Sequence, residues 1–64
     1  MTTFINGDLY QVKCEVEFED KESYISITLS NGTNEYGGTG YSWSEAFGFA
    51  LSDLKEKTNA VNKF

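Results

Sequence analysis

Between Tyr10 and Phe18 the chain alternates without a break. Tyr10, Val12, Cys14, Val16 and Phe18 fall on one side, and Gln11, Lys13, Glu15 and Glu17 on the other. A period of two, apolar against polar, fits a half-buried antiparallel strand and no helix. It also fixes a face, because a slip of one residue would turn every side chain over. Whatever else the chain does, it must supply partners for this strand and a cover for its apolar side.

The partners are legible on either side. Asn6-Gly7 and Asn31-Gly32 are dipeptides suited to type I′ hairpin turns, where both central residues need positive φ. The first joins a short strand at about residues 2–5 to a second at 9–19. Asp20 to Ser23 reads as a polar turn. Ile25, Ile27 and Leu29 then alternate with Tyr24, Ser26, Thr28 and Ser30 in a third strand at 24–30. Pairing Phe18 with Ile25 sets Val16 opposite Ile27 and Cys14 opposite Leu29. Closing Asn31-Gly32 as a two-residue turn sets Ile27 opposite Tyr36 in a fourth strand at 33–38. Both hairpins then share one apolar face, and Cys14 reads as a core thiol.

The cover comes from the segment that follows. Ser42 with Glu45 three residues later is a capping-box pattern, the hydroxyl taking an amide of the first turn and the carboxylate reaching back to the amide of Ser42. Trp43, Ala46, Phe47, Ala50 and Leu54 fall on one helical stripe with Leu51 at its edge, which predicts a helix at about 43–57. Lysines near its end suit the helix dipole, Asn59 is a stop, and 58–64 is a tail in which Val61 and Phe64 fold back or serve an interface. Gly37-Gly38-Thr39-Gly40 reads as a bend leading to the helix rather than a phosphate loop, since no lysine follows and Glu45 would repel the anion. The expected fold is α+β: an antiparallel four-stranded meander with one C-terminal helix packed on one face, a single domain spanning 1–64.

Gly40-x-Ser42-x-x-Glu45-Ala46-x-x-x-Ala50-x-x-x-Leu54, following strands, resembles the end of the double-stranded-RNA-binding domain. It resembles still more the truncated form of that fold in HicB-type antitoxins, over roughly residues 9 to 55. The resemblance implies a β-β-β-α unit. Trp43, Ser44 and Phe47 stand where RNA-binding members carry lysines, so RNA binding does not come with it. Asn31-Gly32 stands where the antitoxins usually carry a Pro-Asp segment.

Charge and chemistry narrow the function. Ten Asp and Glu against five Lys and Arg give a net charge of −5, which repels phosphates and argues against direct nucleic acid binding. Without histidine there is no Ser-His or Cys-His system and no His-containing metal cluster. No catalytic residues, cofactor or metal are expected. Cys14 is the one cysteine, which suits a reducing cytoplasm. Met-Thr-Thr-Phe-Ile at the start has neither a basic region nor a long apolar run, so neither a signal peptide nor a membrane span is expected. Asn31-Gly32-Thr33 matches a glycosylation acceptor, but a hairpin turn is the better account.

The outward face of the second strand is the distinctive feature. Glu15, Glu17 and Glu19, with Tyr24 alongside and Glu35 on the fourth strand, form an acidic face that could imitate a phosphate backbone and enter a basic cleft on another protein. The leading expectation is a small acidic interaction protein of phage type that inhibits or regulates its partner. A second surface is Gly48 with Phe49, off the buried stripe. It serves a homodimer or partner contact in one account and is covered by the tail or first strand in the other. The alternatives are an antitoxin-like oligomerising module using the helix and an edge strand, and a degenerate nucleic-acid-binding domain.

Overall fold

The computed structural model describes the backbone of residues 1–62 and the side chains of residues 1–58. Four strands, β1 (Thr2–Ile5), β2 (Asp8–Glu19), β3 (Glu22–Ser30) and β4 (Glu35–Gly40), precede one helix, α1 (Trp43–Asn62). The strands form a single antiparallel sheet in the order β1-β2-β3-β4. The fold is α+β, a meander with a helix returning over one face, as the alternation and the helical stripe predict.

The first turn matches its expectation. Asn6 and Gly7 both have positive φ, 52° and 84°, and Ile5 pairs with Asp8. The other two turns do not, and each moves its register by two residues. Asp20 and Lys21 form a two-residue turn, both with positive φ (49° and 67°). Glu19 therefore pairs with Glu22, Val16 with Ile25, Cys14 with Ile27 and Val12 with Leu29. Lysine in this conformation costs about 1 kcal/mol, and nothing in the dipeptide advertises the turn.

At the third turn the Asn31 side chain intervenes. Its Oδ1 accepts hydrogen bonds from the amides of Thr33 (2.9 Å) and Asn34 (2.8 Å), and the Asn31 amide donates to the Asn34 carbonyl. Only Gly32 of the Asn-Gly pair has positive φ, so this is a four-residue loop and not a type I′ turn. Ser30 pairs with Glu35, and Tyr36 with Leu29 rather than Ile27. Both shifts are even, so the apolar face survives each of them.

The glycine run is a strand and not a bend. Gly38 and Gly40 pair with Ile27 and Ile25 inside β4, and they face the helix. A Cβ at Gly38 would lie 2.3 Å from the Ala50 amide nitrogen and 2.5 Å from the Ala46 carbonyl oxygen. Two glycines on the sheet and two alanines on the helix thus bring the backbones close together. Leu54 continues the same stripe. Ile27, Leu29 and Leu54 are the largest fully buried side chains, joined in the core by Tyr10, Val12, Tyr36, Ala46 and Ala50. Each of the three aliphatic groups contributes about 1.5–3 kcal/mol by leaving water.

The helix start follows the capping box with one change. The Glu45 amide donates to Ser42 Oγ (3.2 Å), but Glu45 Oε1 accepts from the amide of Tyr41, not of Ser42. Past Lys57 the helix runs on to Asn62, so Asn59 is no stop and 58–62 is no loose tail. Its last turn carries no basic residue. Lys57 instead bonds back to Asp53 (3.3 Å), while Asp53 Oδ2 accepts from the Gly37 amide on the free edge of β4. The roles expected of Val61 and Phe64 fall on side chains outside the described residues.

The helix packs chiefly on β4 and β3, and the core reaches Tyr10 and Val12 on β2, but the second half of β2 is left bare. Val16 is 58 % exposed, Phe18 80 %, and Cys14 is exposed too, so the expected core thiol is a surface thiol. Trp43, expected on the buried stripe, is 39 % exposed and stacks on Phe47 with ring centroids 4.8 Å apart. The radius of gyration, 12.6 Å, exceeds the roughly 11 Å of a compact chain this long. One helix leaves a corner of this sheet uncovered.

Candidate functional site

Alternation carries Glu15, Glu17 and Glu19 to the face of β2 opposite the helix, spaced by about 6.8 Å along the strand. β3 places Ser26 opposite Glu15, Tyr24 opposite Glu17 and Glu22 opposite Glu19. The three glutamates and Tyr24 therefore share one surface as the pattern predicts. Lys13, at the start of the row, lies 3.2 Å from Glu15 Oε1 in an exposed ion pair, which adds little stability.

Tyr24 registers this field. Its phenol pKa is raised above the ordinary value, first by a hydrogen bond to the Glu17 carboxylate, then by that carboxylate's charge, then by desolvation and by the charge of Glu19. Tyr24 thus feels the charge of Glu17 and Glu19 together.

Glu35 lies on the same face of the sheet but at its far corner. It pairs with Ser30 at the start of β4, two strands away from β2 and about 17 Å from Glu15. Three other carboxylates take its place. At the end of the sheet Glu19, Asp20, Glu22 and Glu45 line an open groove of about 550 Å³ with Tyr24 and Tyr41. Asp20 and Glu22 reach it through the tight turn, and Glu45 through the helix cap. The two-residue turn at Asp20-Lys21, which the dipeptide does not advertise, is what places Glu22 opposite Glu19.

Gly48 and Phe49 lie on the helix away from this face. A Cβ at Gly48 would meet nothing within 4 Å, and Phe49 is 56 % exposed, its own Cβ close to Gly38. On the outer face of β1 and β2, Phe4 and Leu9 form an exposed cross-strand apolar pair that the alternation reading passed over.

Among the described residues, no group of three or more Cys, Asp or Glu is placed to hold a metal ion, and no helix is long and apolar enough to cross a membrane. The fold and this face define a small acidic α+β domain with one charged and one half-covered sheet surface. Comparison with protein-family models, with curated proteins and with solved structures returned no match.

Proposed function

We propose that this protein is a non-catalytic interaction module whose acidic sheet face docks into a basic, nucleic-acid-binding cleft of another protein and blocks it. The observation that carries the reading is the row Glu15-Glu17-Glu19 on an exposed strand face, continued by Asp20, Glu22 and Glu45 at the end of the sheet. Successive carboxylates about 6.8 Å apart present a regular line of negative charge. A cleft built for a phosphate backbone meets such a line favourably, and nucleic acid itself is repelled. The partner is a protein of phage-target type in the cytoplasm, and no cofactor enters. The HicB-type resemblance is to a β-β-β-α unit and leaves the partner of such a module open.

The test compares wild type with the Glu15/Glu17/Glu19→Lys variant as bait for cytoplasmic proteins. The expected result is a nucleic-acid-binding partner that wild type retains, the variant loses, and duplex DNA displaces. Its affinity falls at least about tenfold between low and about 0.5 M salt, because the contact is electrostatic. A partner held equally by both baits refutes the acidic face and moves the site to the oligomerising surface around Gly48 and Phe49.

A further inference from the structure

β1 is shorter than the strand it borders. It pairs with β2 only from Ile5↔Asp8 to Thr2↔Gln11, and the Val12 amide then donates to the Met1 carbonyl (2.8 Å). Among the described residues, β2 from Lys13 to Glu19 has β3 on one side and no strand on the other. Backbone direction alternates along an antiparallel strand. Since the Val12 amide points toward β1, those of Cys14, Val16 and Phe18 point the same way, into open space. The side chains of these three residues lie on the helix side and are exposed because α1 does not reach them. One edge therefore combines unpaired backbone groups, a bare apolar face and, on its other face, Glu15, Glu17 and Glu19.

We propose that this free edge of β2 takes an added β-strand from a partner protein, one whose side chains alternate basic and branched apolar. The inference rests on the acidic-face reading above and adds to it the mode of docking. An added strand sits about 4.8 Å from β2, with facing side chains within about 5.5 Å. Its residues on the outer face lie against Glu15, Glu17 and Glu19, where lysine or arginine fits. Those on the helix side lie against Cys14, Val16 and Phe18, where valine, isoleucine or leucine extends the bare apolar surface. Backbone bonds give affinity and the two faces give selectivity.

A second copy of this chain fits the edge less well than a basic strand does. Two-fold pairing centred on Glu17 sets Glu17 opposite itself and Glu15 opposite the copy's Glu19, and centred on Val16 it sets Glu15 opposite the copy's Glu17. Only Lys13, brought against Glu17 or Glu19 in the registers centred on Glu15 or Val16, offsets this repulsion. Like charges directly opposite are destabilising. The glutamates thus guard the edge against self-pairing and leave it open to a strand of opposite charge.

The test uses an end-blocked seven-residue peptide alternating lysine and valine, and a permuted peptide of the same composition with the lysines in one block. The alternating peptide is expected to bind at least about tenfold more tightly. It should slow amide hydrogen exchange at Cys14, Val16 and Phe18, while Glu15 and Glu17, already paired with β3, change little. Val16→Pro removes an amide that β3 does not use, and it should abolish the difference between the peptides. Unchanged exchange at the three wild-type amides overturns the proposal whether or not that variant folds. Equal binding of both peptides, lost in the Glu15/Glu17/Glu19→Lys variant, overturns strand addition and leaves the acidic-face reading standing. Binding indifferent to that variant counts against both. Protection of the three amides without peptide, growing with protein concentration, assigns the edge to a second copy and overturns the proposal.

Discussion

Over β3 and β4 the apolar positions vanish beneath α1, with Ile27 and Leu29 fully covered, whereas in the second half of β2 Cys14, Val16 and Phe18 stand in solvent. The two regions carry the same alternation, and Cys14 and Val16 sit directly across from Ile27 and Ile25. What separates them is the path of α1 across the sheet. Tyr10 and Val12 at the start of β2 are buried in the core with Leu54, and the bare corner begins beyond them at Cys14. Gly38 and Gly40 hold the first turns of the helix down on β4. Alternation therefore declares which face of a strand is apolar and says nothing of whether that face is covered.

The largest effect should come from breaking the glycine–alanine contact that fixes the helix on the covered half. In Gly38→Val the new Cβ meets helix backbone, which cannot swing aside as a side chain would. A loss of about 3 kcal/mol or more is expected in urea denaturation, comparable with the whole stability of a domain this small. Gly37→Val is the control. Its Cβ would lie 3.5 Å from the Ile27 carbonyl oxygen, an ordinary contact, and its cost should stay below about 1 kcal/mol. Equal losses at both positions would mean that the helix is not held by this close approach.

The next effect measures the two halves against each other. Leu29→Ala opens a cavity in a fully buried site and should cost about 2–5 kcal/mol. Phe18→Ala, on the bare half, should change stability by no more than about 0.5 kcal/mol although it removes a larger side chain. A cost at Phe18 approaching that at Leu29, and rising with protein concentration, would show that the bare half is covered in solution by another copy.

The same contrast explains how much of the molecule was readable beforehand. Strand faces, element order and the helix cap are local patterns, and the sequence of residues 10–18 and 42–54 states them directly. Register was not readable, because it hung on Asp20-Lys21 adopting positive φ without a glycine and on the Asn31 side chain binding two amides. Both errors were even, so the glutamate row and Tyr24 still came together. Glu35 keeps the same face but lies further along the sheet, because the two register shifts add at β4. The groove carboxylates Asp20, Glu22 and Glu45 were missed for the same reason: they meet through a turn and a cap that bring distant positions to one end of the sheet. The free edge of β2 was hidden by the first strand's shortness, which matters only once β1 and β2 are seen side by side.

The smallest effect tests whether the charged side of the bare half behaves as one field. Glu17 holds the Tyr24 proton in place by a hydrogen bond and by its charge, with Glu19 adding to the charge. The Tyr24 pKa should therefore fall toward its ordinary value in Glu17→Gln, which removes the charge, and fall less in Glu19→Gln, read from the Tyr24 ring signals across alkaline pH. The sign follows from linkage. A tyrosine whose pKa is higher folded than unfolded holds its proton more tightly in the native state. Any stability this contributes is present below the unfolded pKa and is lost as pH rises through the folded one. A basic strand placed against Glu15, Glu17 and Glu19 neutralises the same field, so saturating the domain with the alternating lysine–valine peptide should lower the Tyr24 pKa in the same direction as Glu17→Gln. A Tyr24 titration untouched by both the substitution and the peptide would mean that the carboxylates act singly, and that no line of charge exists for a basic partner to read.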